Sequence, residues 1–111
     1  LAERLLGFAA ATIVASRRFG ADGIERHAAL QMVRAATSAG ANYEEARAAE
    51  SRADFAHKCA IAAKELREAT YWLKLAVRSE ILRGDVHDLV REANELCAIL
   101  AASVRTARSR E

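Results

Sequence analysis

The sequence predicts an all-α protein, an antiparallel up-down-up-down four-helix bundle formed by a single domain over residues 1–111. Three observations carry that expectation. Pro is absent and Gly occurs five times, so the chain has few helix breakers. Ala is the commonest residue and aromatics are only 5%, which implies thin layers and closely approaching helices. The stretch from Arg52 to Leu82, without Gly or Pro, repeats Phe55, Cys59, Ala62, Leu66, Ala69, Leu73 and Ala76 at alternating steps of four and three. That is a helical seam and not a strand alternation.

The first helix is expected over Ala2 to Phe19, with a stripe of Leu5, Phe8, Thr12, Ala15 and Phe19 widened by Leu6, Ala9, Ile13 and Ser16. Gly20 is placed to end it in a left-handed conformation, and Asp22 or Gly23 to cap the next. The second helix, Ile24 to Glu50, has a face of small residues: Ala28, Met32, Ala35, Ala36, Ala39 and Ala46. Gly40 lies inside it, at a cost of about 1 kcal/mol relative to Ala, which close approach of another backbone would justify; a break at Gly40 is the alternative.

Ser51 followed by Asp54 resembles a capping box that opens the third helix, Arg52 to Leu82. Outside its seam lie Ile61, Leu75 and Leu82. A helix apolar on two sides needs two partners, one of them another subunit. Ile61, Tyr71, Trp72, Leu75 and Leu82 are therefore the expected oligomer interface. Arg83-Gly84-Asp85 forms a loop, Asp85 caps the fourth helix, and that helix runs from Val86 to Arg108 along Val86, Val90, Ala93, Cys97, Leu100, Val104 and Ala107.

No apolar run reaches the roughly 18 residues of a membrane span, and no stretch has the order of a signal peptide. The cytoplasm is the expected compartment. Cys59 and Cys97 lack a C-x-x-C spacing. With a turn near Gly84, Cys97 would lie level with residue 71, about 18 Å along the axis from Cys59, too far for a disulfide. The formal charge of +2 permits a nucleic-acid partner without requiring one.

Arg34, Ser38, Asn42 and Glu45 share one face of the second helix. In a hairpin turning near Ser51 they lie opposite Glu68, Lys64 with Glu65, and Lys58. The expected outcome is a partly buried polar network that fixes register; the sharper alternative is a ligand or catalytic site, for which no nucleophile–base pair is present.

The run Ser38-Ala39-Gly40-Ala41-Asn42-Tyr43-Glu44-Glu45-Ala46, read as S-x-G-A-N-Y-x-E-A, resembles the signature of the four-helix-bundle proteins encoded in intervening sequences of bacterial 23S ribosomal RNA genes. Arg34 ahead of it, Ser51-Arg52-Ala53-Asp54-Phe55, Lys64-Glu65, Glu68-Ala69-Thr70 and Tyr71-Trp72-Leu73 resemble further family motifs in order, with Asp54 standing where the family has Glu. The resemblance implies antiparallel four-helix bundles that associate as cyclic homopentamers. A related branch serves as the accessory protein of diversity-generating retroelements, where a basic pentamer cooperates with a reverse transcriptase and nucleic acid.

The expected function is therefore a non-enzymatic oligomeric protein that binds RNA or DNA through basic rims, with a structural or protein-interaction scaffold as the alternative. In a bundle of this topology Arg17, Arg18, Arg26 and Arg83 gather at one end. Arg4, Arg47, Arg52, Arg105, Arg108 and Arg110 gather at the other. Arg17, Arg18, Arg105, Arg108 and Arg110 are the expected phosphate contacts. No cofactor or metal is expected: Asp54-Phe55-Ala56-His57 is a lone approximation to the paired Glu-x-x-His of a di-iron bundle, and there is no Gly-rich phosphate loop.

Overall fold

Four helices account for the computed structural model, which describes residues 1–110: α1 (Ala2–Ser16), α2 (Gly23–Arg47), α3 (Arg52–Arg78) and α4 (His87–Ser109). No strand occurs among the described residues. Successive helices pack side by side and α4 returns to α1, giving a bundle of 48 × 20 × 20 Å. The small-residue face of α2 is wholly buried, as its spacing predicts. It meets Cys59, Ala62, Leu66, Ala69, Leu73 and Ala76 of α3 in one core cluster. Phe55 is only partly buried, and Leu96, outside the expected seam of α4, is fully buried while Cys97 and Val90 are half-buried.

The helix starts follow capping chemistry. Asp22 accepts from the Glu25 backbone N–H at 2.8 Å and Glu25 returns a bond to the Asp22 N–H at 3.0 Å, a reciprocal capping box. The Ser51 hydroxyl accepts from the Asp54 N–H at 3.0 Å. At α4 the cap position is Val86 and not Asp85, whose carboxylate instead accepts from the His87 N–H at 2.8 Å.

The ends depart further from expectation. α1 stops at Ser16, with Arg17 still in right-handed geometry, and Gly20 is not left-handed. α3 stops at Arg78 because a left-handed residue follows it: Glu80, at φ 64°, lets the Glu80 N–H reach Val77 O and the Ile81 N–H reach Ala76 O. This is the Schellman pattern, here without the usual glycine. The chain then runs extended, and Phe19 and Leu82 form an antiparallel bridge between the two loops at this end. α4 therefore begins later than a turn at Gly84 alone would place it, and Cys97 lies level with Ala63, its thiol 3.6 Å from Ala63 O, rather than with residue 71. Both cysteines are free thiols, and burial pushes the Cys59 thiol above its usual range.

Gly40 lies in unbroken helix. The element that approaches it is α1 and not α3: a Cβ there would sit 3.9 Å from Leu5 Cβ and 4.0 Å from Leu5 O, ordinary contact distances.

Candidate functional site

α3 touches α2 along one side and α4 along the other, and the two sides differ in chemistry. On the α2 side, Glu68 receives Arg34 at 2.7 Å and Lys58 reaches Glu45 at 3.0 Å. These are the pairings that the hairpin register predicts. The rest of the expected network does not form across the helices. Asn42 Nδ2 donates within its own helix, to Ser38 O at 2.9 Å and Ser38 Oγ at 3.2 Å. Glu65 keeps one carboxylate oxygen, Oε2, buried without a hydrogen-bond partner among the described residues. The stripe is thus two ion pairs and a local amide contact, with no nucleophile beside a base.

Further along the same side, His27 of α2 meets the Trp72 ring edge-on at 5.8 Å, and Trp72 meets Tyr71 in the same way at 5.6 Å. Tyr71 is 58% and Leu75 is 38% exposed, and Ile61 is half-buried. Tyr71 and Leu75 lie on the outer crest of α3. Leu82 does not. It is 3% exposed, drawn into the core by the loop bridge to Phe19.

On the α4 side, Arg67 and Thr70 face Asn94, Cys97, Ala98 and Ala101 across one shallow groove. Lys74, Val77 and Arg78 face Val86, His87 and Val90 across a second, of about 430 Å³. Neither groove contains an ion pair among the described residues.

The arginines divide between structural work and open solvent. Arg4 is not part of a basic end. It binds Glu92 at 2.6 Å and Glu95 at 3.4 Å, because α1 is only 15 residues long and starts level with the middle of α4. The hydrogen bond from Arg4 holds the Glu92 carboxyl below its usual range, against the opposing effect of burial. Arg47 pairs with Glu44 at 3.2 Å, and Arg52 donates to Arg110 O at 2.9 Å. Arg18 donates to Asp85 O at 3.3 Å, and its Nη1 lies 2.6 Å from where a Cβ on Gly84 would sit. Gly84, at φ 93°, suits that position twice over, by conformation and by space. Arg17, Arg26, Arg83, Arg105, Arg108 and Arg110 form no ion pair among the described residues, and all are exposed.

The spacing argument missed one surface. Leu6, Ile13 and Val14 on α1 are 64%, 41% and 58% exposed, although Leu6 and Ile13 were expected to widen its buried stripe. The signal was present: no charged residue occurs between Arg4 and Arg17. A helix apolar all round is a helix with covers on all sides.

Among the described residues no group of three or more His, Cys, Asp or Glu is arranged to hold a metal ion, and no helix is long and apolar enough to cross a membrane. No match is found among the curated proteins. A similar solved structure is a protein with unknown function from the S23 ribosomal protein family of Bacteroides thetaiotaomicron VPI-5482. It is 32% identical, with a TM-score of 0.84 over 93% of this chain and 96% of that one. The model of the 23S rRNA-intervening sequence protein family matches residues 6–102. The S-x-G-A-N-Y-x-E-A run and this match agree: the chain belongs to the 23S rRNA-intervening sequence protein family.

Proposed function

We propose that this protein is a non-enzymatic homo-oligomer, a ring of five on the family resemblance, that binds nucleic acid. The observation that carries the reading is the distribution of cations. Arg17, Arg26 and Arg83 at one end of the bundle, and Arg105, Arg108 and Arg110 at the other, are exposed and without ion pairs among the described residues. Cyclic repetition builds a basic rim from subunits whose formal charge is only +2. Phosphate contacts made by such a rim are independent of sequence and strongly dependent on salt. The test is binding of a short RNA and a short DNA duplex at two salt concentrations. Affinity that falls steeply with salt supports the reading; no binding of either at low salt overturns it.

The exposed apolar residues support assembly. Leu6, Ile13 and Val14 on α1, and Tyr71 and Leu75 on the crest of α3, are large apolar side chains open to solvent, the kind of surface that a neighbouring subunit covers. Light scattering should give several times the 12.1 kDa chain mass, and Leu75→Glu or Ile13→Glu should lower it before the subunit unfolds. A clean monomer at micromolar concentration removes the ring. The same apolar surface favours a second reading, a protein-interaction scaffold such as an accessory partner of a reverse transcriptase. Failure of nucleic-acid binding with assembly intact would bring it forward.

A further inference from the structure

We propose that the face formed jointly by α3 and α4 is a track for a nucleic-acid backbone, continuous with the basic ends of the bundle. This rests on the nucleic-acid reading above and gives it a place. Lys64, Arg67, Lys74 and Arg78 fall at steps of three, seven and four, and all four are exposed. The grooves that Arg67, Lys74 and Arg78 line put this row on the α4 side of α3. Along α4, Ala98 and Ala101 line the same groove. Arg105 follows them by seven and four residues and Arg108 follows Ala101 by seven, so helical spacing carries the row on. From Lys64 to Arg78 the row spans roughly 21 Å at about 1.5 Å per residue.

The glutamates of both helices turn elsewhere, and Asp88 pairs with Arg91 on its own helix. Glu68 faces Arg34 on α2, with Glu65 at the matching spacing, and Glu92 and Glu95 face Arg4 on α1. Asp85, in the loop at the top of the track, has its carboxylate on the His87 N–H. None of the four α3 cations forms an ion pair among the described residues.

Such a row does not serve the fold. Like charges three and four residues apart on a helix repel and cost stability. Nor does its Arg67 part look like a seat for a protein. A protein interface is centred on large apolar or aromatic anchors; the exposed ones here lie on all four helices, and Tyr71, Leu75 and Val77 border Lys74 and Arg78, whereas none lines the groove at Arg67. The groove at Arg67 is lined instead by Thr70, Asn94, Cys97, Ala98 and Ala101, while the one at His87 is lined by Val77, Val86 and Val90. A row of unpaired cations beside a groove of polar and small residues is the composition of a nucleic-acid surface.

The test compares two variants of the full chain by fluorescence anisotropy with a labelled RNA strand, a DNA strand and a DNA duplex. One removes the track (K64A/R67A/K74A/R78A). The other removes end arginines (R17A/R83A/R110A). The track variant should lower the slope of log affinity against log salt on the duplex by about three to four, more than the end variant does. Melting temperature and light scattering should be unchanged in the track variant. Three results overturn the track: wild-type binding by the track variant with loss in the end variant, which leaves the nucleic-acid reading standing; a fall in oligomer mass in the track variant, which makes the face a contact between copies; or equal, equally salt-dependent binding of poly-glutamate, which makes it a general polyanion surface. Wild-type protein that binds none of the three nucleic acids at low salt removes both.

Discussion

On its α2 side, α3 meets cation with carboxylate: Glu68 against Arg34, Lys58 against Glu45. On its α4 side, Arg67, Lys74 and Arg78 look across to Asn94 and His87 and form no ion pair among the described residues, although Asp85 of the preceding loop lines the same groove. The helix is the same and the core beneath is continuous, so burial does not explain the difference. The paired side specifies which residues of α2 and α3 stand at equal height, which a seam of Ala and Leu does weakly. The bare side specifies nothing about the fold and slightly opposes it.

The comparison can be broken at its shared root. Leu66 is fully buried between the two sides, and Leu66→Ala should cost about 2–5 kcal/mol by transfer and cavity terms together, read from urea or thermal unfolding. A loss under about 1 kcal/mol would mean that the two sides hold without a common core. Next, Glu80→Gly at the end of α3 should stabilise by about 1 kcal/mol, since a left-handed non-glycine residue is strained there. No gain would show that the Glu80 side chain compensates. A double-mutant cycle on Arg34 and Glu68 should return about 0.2–1 kcal/mol, because both side chains are well exposed. Lys74→Ala, on the bare side, should lie within about 0.5 kcal/mol of wild type or slightly above it. A cost equal to that of the paired side would erase the distinction.

The smallest effect concerns pH. The Glu92 carboxyl is held below its usual range chiefly by the hydrogen bond from Arg4. A lowered folded-state value means stability that is present above the ordinary carboxylate range and lost as pH falls through the folded value. Wild-type protein should therefore lose slightly more stability than Glu92→Gln between neutral and acid pH, in parallel thermal melts. Identical acid profiles would rule the pair out as a contributor.

Much of the fold was legible because helix periodicity is a local property. The buried face of α2, the caps at Asp22 and Ser51, and the pairing of Arg34 with Glu68 all follow from spacing and short-range chemistry. What was not legible depended on where chain segments meet. Glu80 in a left-handed conformation ended α3 early, and no glycine announced it. That early end moved α4 relative to α3, put Cys97 beside Ala63 and took Leu82 into the core. Arg4 was read as an end residue because the short reach of α1 along α4 is not written in either helix alone. The charge pattern on the α3–α4 face was in the sequence throughout, yet it needs the groove linings to show which neighbour each row faces.

The shortness of α1 bears on how the molecule opens. Its 15 residues contact α2 and only the first half of α4, while α2, α3 and α4 form the longer packed unit. Such an element is the natural candidate for a separate cooperative unit that detaches below the global unfolding energy. Amide hydrogens from Leu5 to Ala15 should exchange sooner than those of α3. If neighbouring copies cover Leu6, Ile13 and Val14, protein concentration should slow exchange in α1 selectively, so that each subunit's first helix is completed by its neighbours and assembly becomes the last step of folding.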